Sequence, residues 1–110
     1  MIPIDSAATL KRINQDKSLL LELLELFIND IPNWQKKLQS CRQTVVFAQH
    51  IHQLKGICQY LTMPKLSLLI AEIEEAIKTH SANQPIMHYG LKLSNELKRI
   101  ATYYHEHFQS

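Results

Sequence analysis

From Lys17 to Leu38 apolar residues recur three or four positions apart: Leu20, Leu23, Leu24, Phe27, Ile31, Trp34 and Leu38. That spacing predicts a helix of about six turns. Leu19, Leu21, Leu26 and Ile28 widen its apolar stripe beyond one face. Such a helix is buried on more than one side or offers an apolar strip to a partner. Pro32 predicts a kink near Ile31. Upstream, Asp5 or Ser6 can cap a short helix that ends near Ile13. Asn14 to Asp16 reads as a turn, with Asp16 or Ser18 capping the long helix.

A third helix is expected from Thr44, a capping residue type, to about Leu61. Thr62-Met63-Pro64 breaks it, and Pro64 suits the first turn of a fourth helix. That helix carries Leu66, Leu69, Ile70, Ile73, Ala76 and Ile77. His80 to Pro85 reads as the clearest loop. A fifth helix follows with Ile86, Leu93, Leu97, Ile100, Tyr104 and Phe108 at helical spacing. Four long helices with short connections predict an all-α fold: an up-down antiparallel four-helix bundle with a short additional N-terminal helix over one end. One domain is expected over residues 1–110.

The third helix has two faces. Phe47, Ile51, Leu54, Cys58 and Leu61 follow the seam spacing of a helix that faces a bundle core. His52 points about 145° away from the centre of that seam, and Gly56 lies nearer still to the opposite side. Ala48, Gln49 and Gln59 share this outer surface. Lys55 sits on the flank, where its flexible stem can swing the ammonium towards His52. A glycine inside a helix costs roughly 0.5–1 kcal/mol relative to alanine, so something local should benefit from its missing side chain. Ala48 and Gly56 clear both sides of the His52 ring for close approach by another protein. A neutral imidazole is a usable nucleophile near pH 7. A dianionic group added to it could accept hydrogen bonds from Lys55.

Composition narrows the function classes. The chain has 110 residues, 45% of them hydrophobic, with only two glycines and four prolines. Leu, Lys, Glu and Gln outnumber β-branched residues, which favours helix over sheet. The net charge of +2 is spread along the chain. Its longest basic cluster, Lys36-Lys37, has only Trp34 nearby as an aromatic, so nucleic-acid binding is not expected. Cys41 and Cys58 form no CxxC pair and read as small buried hydrophobes. Residues 1–5 have neither a basic nor an apolar signal region. No apolar run approaches the roughly 20 residues of a membrane span. A soluble, cytoplasmic protein is expected, and the initiating methionine favours a free-standing one over a domain cut from a larger chain.

Ala48 to Thr62, AQHIHQLKGICQYLT, resembles the signature of histidine-containing phosphotransfer (HPt) domains, in which H-x-L-K-G is followed by small residues and a leucine-glycine step. Leu19 to Phe27 with Asp30-Ile31-Pro32 resembles the second helix of that family, and Leu66 to Glu74 the helix after the phosphorylation helix. The resemblance implies a protein that relays phosphoryl groups between aspartates of response-regulator receiver domains, including those of hybrid sensor kinases. His52 would be the phosphoacceptor, through Nε2, and Lys55 would stabilise the phosphoryl group. Gly56 would admit the receiver's loops. The docking face would include Ala48, Gln49, Gly56, Gln59 and the apolar Leu21 and Ile28 of the second helix. No cofactor is expected on this chain, because the Mg²⁺ of the reaction belongs to the receiver. A bacterial source and a monomer are expected. Ile57 and Thr62 depart from the pattern, standing where the family usually has Ser or Ala and Gly.

Rival chemistries find less support. With Gly56 and Gly90 the only glycines, there is no phosphate-binding loop for an autonomous ATP-dependent kinase. His50 and His52, like His105 and His107, are two apart and point to different helix faces, so no metal site is expected. Glu72, Glu74 and Glu75 read as a solvated face. The alternative function is a non-catalytic, degenerate HPt-like module that binds a receiver or another signalling protein.

Overall fold

Two aspartates start the first two helices. Asp5 Oδ1 accepts the Ala8 N–H at 3.0 Å and opens α1 (Ser6–Arg12). Asp16 Oδ1 accepts the Leu19 N–H at 3.0 Å and opens α2 (Lys17–Ser40). Each satisfies a helix-start donor that has no partner within its own helix. Asn14 and Gln15 make the turn between them with φ of 58° and 61°, the left-handed region that Asn tolerates better than most residues. The computed structural model describes residues 1–79 and 84–109. His80 to Asn83, most of the expected loop, lie outside the described residues; Gln84 and Pro85 are non-helical.

The remaining helices are α3 (Thr44–Cys58), α4 (Pro64–Thr79) and α5 (Ile86–His107). Thr44 is the first residue of α3 rather than its cap. Gln43 holds the cap position with extended backbone, and its carbonyl accepts the Phe47 N–H at 2.9 Å. The helix also closes before Leu61. Gln59 and Tyr60 tighten its end by donating to Gly56 O and Ile57 O, both at 3.2 Å, a 3₁₀-type finish. Pro32 is exposed, and α2 continues through it.

The α2 helix packs chiefly against α5, and α3 against α4. The buried residues form one cluster, to which α2 contributes Leu20, Leu24, Phe27, Ile28, Ile31, Trp34 and Leu38. The surplus apolar residues of α2 divide: Ile28 is buried, Leu19 half-buried, Leu21 and Leu26 exposed. Among the described residues there is no strand and no helix long and apolar enough to cross a membrane.

The short α1 helix closes one end of the bundle and ties down the segment after α3. Arg12 Nη1 donates to Cys58 O at 2.9 Å and Gln59 O at 2.8 Å, meeting carbonyls that the end of α3 leaves without helical partners. Thr9 Oγ1 accepts the Thr62 N–H at 2.9 Å, and Thr62 O accepts the Asp5 N–H at 2.8 Å. Thr62 does this without a positive φ, so its position makes no demand for glycine. Ile57 packs half-buried against the core, which accounts for an apolar residue there.

Candidate functional site

The seam of α3 faces inward as its spacing requires. Phe47, Ile51 and Leu54 are each 0% exposed. Cys58, the next seam position, is half-buried, and burial pushes its thiol pKa up despite a hydrogen bond with Ser67 and the charge of Arg12. A raised pKa keeps the group as the less reactive thiol. Cys41 is buried.

Opposite the seam, His52, Gln49, Gln53, Gly56 and Gln59 are exposed, and Ala48 is half-buried. A Cβ built on Gly56 would meet nothing within 4 Å. The ground one turn beyond His52 is therefore open, and no contact among the described residues uses the space. His52 lines a shallow groove with Thr44, Val45, Ala48, Gln49, Gln53 and Ile77. Four of these, Thr44, Val45, Gln53 and Ile77, were not among the residues expected to dock a partner. Val45 is 72% exposed and precedes His52 by two helical turns on the same face, so its place was readable from spacing. Ile77 belongs to α4, and nothing local to α3 points to it.

Lys55 is exposed on the flank of α3, but its ammonium does not lie over His52. Lys55 Nζ lies 3.2 Å from Glu74 Oε1 of α4. Glu74, expected with Glu72 and Glu75 on a solvated face, thus has a charged partner on the neighbouring helix.

The second-helix residues expected at the docking face are not gathered around His52. Ile28 is 6% exposed and packed in the core, which corrects its assignment to a partner surface: the stripe of α2 is wide enough to bury it against neighbouring helices. Leu21 is 50% exposed. The Trp34 ring meets the His50 ring edge-on at 6.5 Å between centroids, which sets the level of α2 beside the histidine segment. Leu21 lies nearly four turns before Trp34, roughly 20 Å along the helix.

Three other histidines have local surroundings of their own. His50 lies against Trp34; burial first, and the Lys37 charge second, push its pKa below the usual value. His105 Nδ1 is 2.6 Å from Gln109 Oε1, and His107 stacks on Tyr103 at 4.0 Å between centroids. Among the described residues no three His, Cys, Asp or Glu side chains converge as a metal site would need.

No family model matches the chain, and no curated protein matches it. A solved structure does: the HPt domain from an Hpt sensor hybrid histidine kinase of Shewanella. The two superpose with a TM-score of 0.78 at 24% sequence identity, over 91% of this chain and 88% of that one. The five-helix arrangement that the sequence pattern predicts is thus the fold of an HPt domain.

Proposed function

We propose that this chain is a histidine phosphotransfer protein that carries a phosphoryl group on His52 between receiver-domain aspartates. One observation carries the reading. His52 stands exposed in mid-helix, opposite the fully buried Phe47, Ile51 and Leu54, beside ground that Gly56 leaves empty. A merely solvated histidine needs no such clearance. A histidine that must meet an acyl phosphate held inside another protein's loops does. The chemistry fits the side chain. A neutral imidazole nitrogen, taken as Nε2, attacks the phosphorus of the receiver's aspartyl phosphate. The N–P bond forms as the P–O bond to the aspartyl carbonyl breaks, and the carboxylate leaves. The other ring nitrogen carries the proton, so no base is needed to strip the nucleophile.

Lys55, one turn along α3, is the cation within reach of the added dianion. The Mg²⁺ that such a transfer uses is assigned to the receiver. Ala48, Gln49, Gly56 and Gln59 form the docking face on α3, and Val45 and Ile77 add apolar area to the groove beside the histidine. The fold shared with a domain of a hybrid sensor kinase supports receivers as the partner class. A bacterial, cytoplasmic setting belongs to the same reading.

The test is chemical. The protein is mixed with each phosphorylated receiver of its source organism, and an acid-labile, alkali-stable phosphate is sought on this chain. Wild type should acquire it and His52→Gln should not. Label on the His52→Gln variant would refute the site. A wild type that stays unlabelled with every receiver would refute phosphotransfer and leave a binding module.

A further inference from the structure

Two grooves flank the outer face of α3, and they divide the proposed machinery between them. His52 lines one with Val45, Gln49 and Gln53. Lys55 lines the other with Ala71, Glu74 and Lys78 of α4, a groove of about 460 Å³. The two adjoin at Ala48 and Ile77, which line both. The nucleophile and the cation that would serve it thus sit on opposite sides of this boundary. The ion pair explains the division, because Glu74 Oε1 draws Lys55 Nζ to 3.2 Å over the α3–α4 groove. The pair is half open to water, with side-chain exposures of 52% for Lys55 and 34% for Glu74. Exposed pairs of this kind are weak, and a lysine stem is flexible. The contact can therefore be exchanged for a better anion three residues away on the same helix.

We propose that Glu74 is a positioning residue that competes with the phosphoryl group on His52 for Lys55. The inference rests on the phosphotransfer reading and adds a control to it. Before transfer, Glu74 satisfies Lys55 and keeps the ammonium off the imidazole, which stays free for attack. After transfer, the dianion on His52 draws Lys55 away and leaves the Glu74 carboxylate to water. The cost of breaking the ion pair makes the phosphorylated state less favourable than Lys55 alone would make it. Glu74 thereby moderates how firmly the chain retains a phosphoryl group that it must pass on.

The experiment measures the equilibrium constant for transfer from a phosphorylated receiver to four forms of the chain: wild type, Glu74→Gln, Lys55→Ala and the double variant. This constant is a property of the free species before and after transfer, so altered docking does not enter it. Glu74→Gln should shift the constant towards phosphohistidine by about two- to fivefold, the range expected for an exposed pair. The same change in the Lys55→Ala background should do much less, and Glu74→Asp should stay near wild type. An equal shift in both backgrounds would mean that Glu74 repels the phosphoryl group directly, and would overturn the proposal. No shift, or a shift towards the receiver, would overturn it too. Phosphoramidate separates this failure from failure of the phosphotransfer reading. It donates its phosphoryl group as ammonia leaves and a new N–P bond forms, with no receiver present. A wild type that phosphoramidate and receivers both leave unlabelled overturns both ideas. A labelled wild type with an unmoved Glu74→Gln overturns only this one.

Discussion

Gly56 and Gly90 are both helical, and their surroundings are opposite. A Cβ on Gly90 would lie 2.5 Å from the carbonyl oxygen of Leu38 and 3.2 Å from its carbon. Leu38 is in α2 and Gly90 in α5, so the missing side chain lets these two helices approach, and the obstacle is backbone that cannot turn aside. A Cβ on Gly56 would meet nothing within 4 Å. Neither glycine has a positive φ, so neither is there for backbone freedom. One answers to the packing of the chain itself. The other forgoes some helix stability for no return among the described residues, which accords with the proposal that it clears room for a partner at His52.

The largest effect should come from filling the crowded position. Gly90→Ala gains helix propensity of about 1 kcal/mol, but overpacking against fixed backbone costs typically 1–3 kcal/mol. With a backbone oxygen only 2.5 Å away the cost falls at the upper end of that range, so the net expectation is a loss of about 2 kcal/mol, seen as a lower urea midpoint. A gain in stability would mean that α2 and α5 can part easily, and the contrast between the glycines would collapse. Filling the open position should act on a partner instead. Gly56→Leu should keep or raise the melting temperature, by up to about 1 kcal/mol of stability, while weakening receiver affinity about tenfold, some 1.4 kcal/mol. Unchanged affinity would remove the argument that Gly56 clears room for docking.

The smallest effect concerns His50, whose environment contrasts with that of exposed His52 two residues away. Burial against Trp34, with Lys37 second, lowers its pKa from the ordinary 6.5. Between the lowered value and 6.5 the unfolded chain binds the proton more readily than the folded chain does. The stability tied to neutral His50 is therefore whole above pH 6.5 and declines as the pH falls below it. Urea melts followed by Trp34 fluorescence should show that decline in wild type and a shallower one in His50→Gln. Parallel declines would show that His50 does not resist protonation on folding.

The seam of α3 was legible because a period of 3.5 to 3.6 residues is a local property of the chain. Phe47, Ile51 and Leu54 are buried as their spacing demands, and His52 is exposed because it lies opposite them. The Asp5 and Asp16 caps were legible for the same reason, since a cap bonds to an amide only a few residues on. The stripe of α2 was legible in width but not in use. Ile28 and Leu21 are both apolar residues outside the regular spacing, yet one is core and the other surface. Which flank a neighbouring helix covers depends on how the helices meet. Ile77 beside His52 and Glu74 beside Lys55 were illegible because they pair residues 25 and 19 positions apart on separate helices.

By itself the sequence determined the helices, their inward faces and the exposure of one histidine with a glycine one turn on, because these follow from periodicity and short-range hydrogen bonds. Only the tertiary structure decided that Gly90 marks the close approach of α2 and α5, that Ile28 is core, and that Lys55 is held by Glu74 rather than poised over His52. Those outcomes depend on how helices distant in sequence pack together, and the spacing of residues within one helix carries no record of that.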